Sequence, residues 1–372
     1  MRKTEGNADK DRYRALRQLT WERLWEVEVP HFNTAAPEDR AKNVALIRAV
    51  GVVFAEYGNA SQKDAVRHWL RALLEDPHEK IRRYAIAALP KVGADHEEEK
   101  DLLKILQSTR NEREKKFLAE ALDKIGGAQT LAEGEGIPIQ TKQKALASVA
   151  RDQGRGEIDL QRQLTDFPRL KFHFRTRRGL EHFVADEVRG HPKLRWIEQH
   201  PGLVIAVPTA PFTLSDLYAV RCFGTVGLVP GGSATTMEES ARTLTSPTAL
   251  HILKIFTKGT IRYRIDFVSK GHQRGAVKKL ANLVYGECPE ILNDPREALW
   301  SADIHSTPHE GCLELRPRLK PDPRFAYRER DIPAASHPPL AASLARLADL
   351  RPGETIWDPF CGAGTELIEC AL

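Results

Sequence analysis

The stretch that decides the fold is Glu354-Thr355-Ile356-Trp357-Asp358-Pro359-Phe360-Cys361-Gly362-Ala363-Gly364-Thr365-Glu366-Leu367-Ile368-Glu369. A short apolar segment ends at Asp358, two glycines follow, and an apolar-periodic run begins at Thr365. That order predicts a strand, a tight turn and a helix of an α/β domain. Glycines at such a turn let the backbone approach a ligand closely, and the first N–H groups of the helix have no partner within it. Residue type excludes two nucleotide-binding loops. A dinucleotide fingerprint needs a third glycine where Leu367 stands, and a phosphate loop needs Lys followed by Ser or Thr after the second glycine.

Outward from this turn, the 372 residues predict two or three domains, each able to bury its own core. The longest apolar run, Ala49–Ala55, is far shorter than the roughly 20 residues of a membrane helix, and the first residues, MRKTEGNADKDR, lack the apolar core of a signal peptide. Five cysteines with no C-x-x-C pair give no disulfide framework or zinc ribbon, so a cytoplasmic location is expected.

The net charge of +5 is unevenly spread. Residues 1–140 hold 24 basic and 24 acidic side chains, whereas residues 141–300 hold 24 basic against 16 acidic. Between His251 and Leu280 the cations Lys254, Lys258, Arg262, Arg264, Lys270, Arg274, Lys278 and Lys279 face the single acid Asp266. A surface of this kind attracts phosphate, which points to nucleic acid.

Residues 1–128 read as successive amphipathic helices, and they repeat. Arg82–Gly93 (RRYAIAALPKVG) aligns with Lys115–Gly126 (KKFLAEALDKIG), and an earlier copy ends at Gly58. Each copy is a helix stopped by a glycine, expected in the left-handed C-cap conformation, and Glu75-Asp76-Pro77 is expected to open the next helix. This part resembles HEAT-like repeats, with a degenerate copy around Trp21 and Trp25, which implies an α-solenoid offering a protein-contact surface. The polar, glycine-containing stretch 129–168 is expected as a linker.

From residue 169 to 305 the pattern is α+β. Strands are predicted over Lys171–Arg175, Gly202–Val207, Thr260–Phe267 and Glu297–His305, and helices over Gly179–Val188 and Gly275–Val284. The segments Phe174–Val188, Leu214–Leu228, IRYRIDF, GAVKKLANLV and LNDPREALWSADIH resemble the ferredoxin-like and THUMP regions of THUMP-containing RNA methyltransferases. That resemblance implies RNA binding, with Arg262, Arg264, Lys270, Arg274, Lys278 and Lys279 as the corresponding surface.

The string from Asp358 to Thr365 is similar to the D-P-x-C-G-x-G-T element of class I S-adenosylmethionine-dependent methyltransferases that act on amino groups of RNA bases. Tyr327–Ala348 is similar to the family element that packs against the methyl donor. The resemblance implies S-adenosylmethionine as cofactor and a Rossmann-like domain opening within residues 306–372. Gly362 and Gly364 would pass the methionine part, Asp358 would orient the cofactor, and Ser336, His337 and Pro338 would cover its other side. Pro359, Cys361, Ala363 and Thr365 would complete the turn. The implied reaction is methyl transfer to an exocyclic amino group, N2 of a guanine, in tRNA first and ribosomal RNA second.

Two elements of that family are absent from the sequence: the acid at the end of the second strand that binds the ribose, and the N/D-P-P-[FY] motif that holds the target base. The sequence ends at Leu372, inside the first helix of a domain that needs roughly 150 further residues. The expectation is therefore that this chain holds no catalytic residue and does not transfer a methyl group alone. The alternative is a non-catalytic RNA-binding or scaffold protein. No metal is expected: His305, His309 and Cys312 have ligand-like spacing, but Pro308 breaks any helix aligning the two histidines. Cys361 is expected as a small residue of the turn, since no base to activate a nucleophile stands near it in sequence.

Overall fold

Helical spacing of apolar residues up to residue 152 gives helices, and alternation after residue 170 gives a sheet. The computed structural model describes residues 2–372 except 95, 134–135, 153, 155, 269–272, 307–310, 330–332, 334 and 352. It divides into two compact units, Met1–Gln153 and Gly154–Leu372.

The first unit is helical. Its longer helices are α1 (Arg2–Arg17), α2 (Ala45–Tyr57), α3 (Ala60–Ala72), α4 (Glu79–Ala88), α5 (His96–Ser108), α6 (Glu112–Ile125) and α7 (Ile139–Asp152). α2 buries Leu46, Ile47, Val50 and Phe54, and its Gly51 lies so close to α4 that an added Cβ would sit 2.9 Å from the Ala88 Cβ. The repeated stretches 82–93 and 115–126 fall on α4 and α6, which pack together. Trp25 joins the core against Phe54 and Trp69, at ring distances of 5.6 and 6.2 Å.

The glycine stops hold for a different reason than expected. Gly93 has φ +84°, but Gly58 and Gly126 have φ −71° and −59°, outside the left-handed region. There a Cβ would meet a carbonyl oxygen one turn back, at 2.6 Å from Phe54 and 2.5 Å from Leu122. Pro77 also precedes the helix it was expected to open, since His78 caps α4 at Glu79. The stretch 129–168 holds α7 and two short strands where a linker was expected. Its apolar residues Ile137, Ala145, Ile158 and Leu164 are buried, and this burial gives those elements their stability.

The second unit is built on an eight-stranded mixed sheet. Its strands are β1 (Lys171–Arg175), β2 (Leu194–His200), β3 (Leu203–Pro208), β4 (Thr225–Val229), β5 (Arg262–Phe267), β6 (Leu292–Asn293), β7 (Trp300–Ser306) and β8 (Gly311–Pro317), in the spatial order β6-β5-β7-β8-β4-β1-β3-β2. β5 runs parallel to β6 and β7, and the other pairs are antiparallel.

One sheet face carries Phe172, Phe174, Val226, Leu228, Tyr263, Ile265, Trp300, Ala302, Leu313 and Leu315. Against it lie α8 (Glu181–Gly190), α9 (Met237–Leu244), α10 (Pro247–Ile255) and α11 (Arg274–Glu287), which bury Val184, Leu244, Ile252 and Leu280 in the same core. Each large apolar side chain so buried contributes roughly 1.5–3 kcal/mol. Because strand side chains alternate, the opposite face carries the polar set His173, Arg175, Arg262, Arg264, Ser301, Asp303, Glu314 and Arg316.

Two sequence expectations are corrected. The boundary at residue 305 is crossed, because β8 pairs with β7 from His305↔Cys312 to Trp300↔Pro317 and belongs to this sheet. Residues 354–358 form no strand, since no described strand lies beside them to supply a hydrogen-bonding ladder.

Candidate cofactor turn and cationic surfaces

Tyr327–Ala348 and Asp358–Glu369 meet through two helices. α12 (Pro338–Leu347) starts where His337 has extended backbone and two prolines fill the first turn, a position that tolerates a missing N–H. α13 (Thr365–Ala371) follows the glycine turn and packs against α12. Buried Glu369 fixes α13: Arg221 grips it in two-pronged fashion, Nε to Oε2 at 3.0 Å and Nη2 to Oε1 at 2.7 Å. The Tyr327 hydroxyl donates to Oε1 of the same carboxylate at 2.5 Å. Glu187 of α8 accepts from the backbone N–H groups of Arg221 and Cys222 and pairs with Arg346 of α12 at 2.9 Å.

The turn itself lies open to solvent. Gly362 and Gly364 have φ +52° and +69°, left-handed values that explain the residue type at both positions. The Asp358 carboxylate accepts from the Phe360 N–H at 2.8 Å, and the Gly364 N–H donates to the Cys361 carbonyl at 2.6 Å. Pro359, Cys361 and Gly362 are exposed, as are the rings of Trp357 and Phe360, whereas Ala363 and Gly364 are half-buried. Thr365 is buried, and its Oγ1 has no hydrogen-bond partner among the described residues. An open left-handed turn beside an orphaned hydroxyl fits one wall of a cofactor site.

His337 sits at a cavity of about 330 Å³ whose lining includes Gly224, Arg324, Phe325, Arg328 and Pro339. A neighbouring cavity of about 160 Å³ adds Arg177 and Arg175 and shares Gly224, His337 and Pro339. Burial, and then the charges of Arg177, Arg324 and Arg328, hold the His337 imidazole below its ordinary pKa. Arg324 is locked in place. It pairs with Asp322 at 2.7 Å, donates to the Phe223 carbonyl at 2.7 Å and lies 3.8 Å over the Phe223 ring. These arginines are scattered along the chain, so no charge run in the sequence marks them.

The six cations expected to form one surface are separated. Arg262 is only 1% exposed, and its Nη2 donates to the Gly154 carbonyl at 2.8 Å. Arg264 is half-buried and pairs with Asp266 at 2.6 Å. Both point away from the helix-covered face, while Arg274, Lys278 and Lys279 lie exposed on α11, which packs on that face. The alternation of β5 imposes this separation, and burial keeps the Arg262 side chain from an RNA phosphate. Lys279 approaches Glu238 at 3.4 Å, and Lys270 lies outside the described residues.

On the polar sheet face, ligand atoms of His173, Cys312 and Glu314 lie within 4.8 Å of one another, and His305 lies across the ladder from Cys312. Arg175 occupies this cluster and donates to both Glu314 oxygens, while His173 Nδ1 lies 2.7 Å from Oε1. The guanidinium thus supplies the positive charge that a metal would bring. Burial pushes the Cys312 thiol up to about 11. Of the sequence candidates, His309 lies outside the described residues. Cys361 is exposed, with no hydrogen bond to its thiol among the described residues.

Residues 326–372 match the family model described as RMKL-like, methyltransferase domain. They contain α12, the glycine turn and α13, and S-adenosylmethionine is the cofactor that such a domain takes. No curated protein matches the chain. Among solved structures, a predicted N6-adenine-specific DNA methylase from Listeria monocytogenes is 21% identical with a TM-score of 0.40, over 54% of this chain and 54% of that one. TrmN from Thermus thermophilus is 20% identical with a TM-score of 0.41, over 54% of this chain and 61% of that one. SMU.472, complexed with SAH, is 17% identical with a TM-score of 0.40, over 57% and 55%. The chain thus spans little more than half the length of these proteins. Among the described residues, no helix is long and apolar enough to cross a membrane.

Proposed function

We propose that this chain is the RNA-holding and cofactor-turn part of an RNA methyltransferase, one that moves the methyl group of S-adenosylmethionine to N2 of a guanine, in tRNA before ribosomal RNA. The observation that carries this reading is the packing of α12 against α13. Both helices lie within the residues that match a methyltransferase domain, one preceded by Ser336 and His337 and the other by the left-handed turn Asp358–Gly364, which supports the reading of these residues as cofactor contacts. The positive surplus of residues 141–300 and the exposed cations of α11 support an RNA partner. A HEAT-like role for the helical unit and a THUMP-type role for the middle region belong to the same proposal.

S-adenosylmethionine supplies a sulfonium whose methyl group is activated for transfer. Of this chain's residues, Gly362 and Gly364 would admit the cofactor backbone-close, Asp358 would orient it, the Thr365 hydroxyl would offer a hydrogen bond, and Ser336, His337 and Pro338 would cover its other side. The residues that would hold the target base are not in this sequence.

The test is twofold. The gene downstream of codon 372 should encode an N/D-P-P-[FY] element. Its full product should then incorporate tritiated methyl groups into unfractionated tRNA as N2-methylguanosine, whereas the 372-residue chain gives none. Label recovered as N6-methyladenosine, or a full product that binds tRNA without methylating it, overturns the reading. The second of those outcomes favours the scaffold alternative.

A further inference from the structure

We propose that the cavity between Arg169 and Arg242 seats a backbone phosphate of the bound RNA, an inference that rests on the RNA reading above. The cavity, about 550 Å³, lies away from the cofactor turn and is lined by Arg169, Gly231, Gly232, Arg242, Ser246 and Thr248, among others. Both arginines are exposed, and neither guanidinium makes a hydrogen bond or an ion pair among the described residues, although the charge of Arg242 acts on Glu238 of the same helix. Two cationic side chains lining one concave space favour an anion between them. Guanidinium forks match phosphate oxygens in geometry as well as charge.

The cavity is a built feature of the fold. Gly231 and Gly232 have φ +87° and +86°, and a Cβ on Gly232 would sit 2.8 Å from Thr243 Oγ1, which itself donates to the Ser233 carbonyl at 2.7 Å. The glycine turn is therefore fixed against α9. Arg169 itself has φ +59°, a left-handed value that a side-chain-bearing residue rarely adopts. Backbone strain of this kind persists only where surrounding structure imposes it and is common at ligand sites.

α10 begins at the cavity, with Ser246 capping the Ala249 N–H at 3.2 Å, so the positive end of a nine-residue helix adds to the attraction. Glu239 also lines the cavity. Ser233, Thr235 and Thr236 direct donors at its Oε2, and these hydrogen bonds, led by that of Thr235, hold its carboxyl down to about 2. Its charge is therefore partly offset by its own wall. The two arginines are separated by more than seventy residues in the sequence, and no charge run reveals them.

The experiment measures fluorescence anisotropy of labelled unfractionated tRNA against the intact chain over a range of salt. It compares Arg169→Gly with Arg242→Gln, with their combination, and with a control combination of Arg162→Gln and Arg195→Gln at exposed positions outside the cavity. Arg169→Gly removes the guanidinium while relieving the backbone, so a loss of binding is not a loss of folding. The cavity pair should weaken binding at least about tenfold and lower the salt slope by about 1–2, with the control pair nearly unchanged.

Inorganic pyrophosphate, followed through the arginine Nε–H resonances by NMR, gives a second readout, and Arg169 and Arg242 should shift. Equal effects of cavity and control pairs with no pyrophosphate shift overturn the site. A pyrophosphate shift with unchanged tRNA binding overturns RNA as its occupant in favour of a small phosphorylated ligand. A wild-type chain that binds no tRNA while pyrophosphate still shifts both arginines overturns the RNA reading of the whole protein and not the anion site.

Discussion

The Glu314 side chain lies across Gly227. A Cβ at Gly227 would stand 2.8 Å from both Cβ and Oε2 of Glu314, so the glycine leaves the space through which the carboxylate of β8 passes over β4 to reach His173 and Arg175 on β1. Three strands are tied together on the polar face of the sheet by this one carboxylate. Gly227→Ala should therefore destabilise the chain by roughly 1–3 kcal/mol, an overpacking cost. Urea denaturation checks it, and adding Glu314→Ala should give a total well short of the sum of the two single effects.

The same carboxylate sets a pH limit. Burial alone would raise its pKa, but the hydrogen bonds from His173 and Arg175, with His305 Nε2 3.3 Å from Oε2, outweigh that and hold it well below the ordinary carboxylate range. A carboxyl depressed on folding contributes stability above its unfolded value of about 4.5, and that stability is lost as pH falls from there towards the folded value. Thermal melts of the wild type should drop steeply below pH 4.5. Glu314→Gln should be less stable at pH 7 by about 2–3 kcal/mol, because Arg175 loses its partner, and its acid limb should be flatter.

Thr365 separates cofactor binding from folding. Its hydroxyl is buried without a partner among the described residues, so Thr365→Val should change stability by less than about 1 kcal/mol while weakening S-adenosylmethionine binding. Gly364→Ala, forced to φ +69°, should cost about 1–2 kcal/mol of stability as well. Isothermal calorimetry alongside melting curves distinguishes the two patterns.

Cations on β5 and α11 should behave oppositely. Arg262→Glu should lower the melting temperature by several degrees, because it places an acid where a buried guanidinium donates to the Gly154 carbonyl. Reversing Lys278 and Lys279 together should leave the melting temperature within about a degree but weaken tRNA retention in gel shifts and flatten its salt dependence. Equal melting effects of the two changes would contradict the burial pattern of β5.

The sequence by itself determined the helical first part, the glycine-stopped repeat, the strands β1, β3, β5 and β7, and the turn at Gly362 and Gly364. Local periodicity and backbone restrictions are written in neighbouring residues, so they can be read without knowing the fold. β2 was not read because Arg195, Glu198, Gln199 and His200 make it a mostly exposed edge strand without a clean alternation. β8 was assigned to the wrong side of a boundary because only its ladder with β7 shows where it belongs.

The tertiary structure alone decided which charges are free. Arg262 and Lys278 belong to one basic run in the sequence, yet the alternation of β5 buries the first and the helical packing of α11 exposes the second. Arg169 and Arg242, inconspicuous and far apart along the chain, meet at one cavity. Charge is set by the residue, but its availability is set by the partners that long-range pairing places beside it, and those partners are chosen only when the sheet closes.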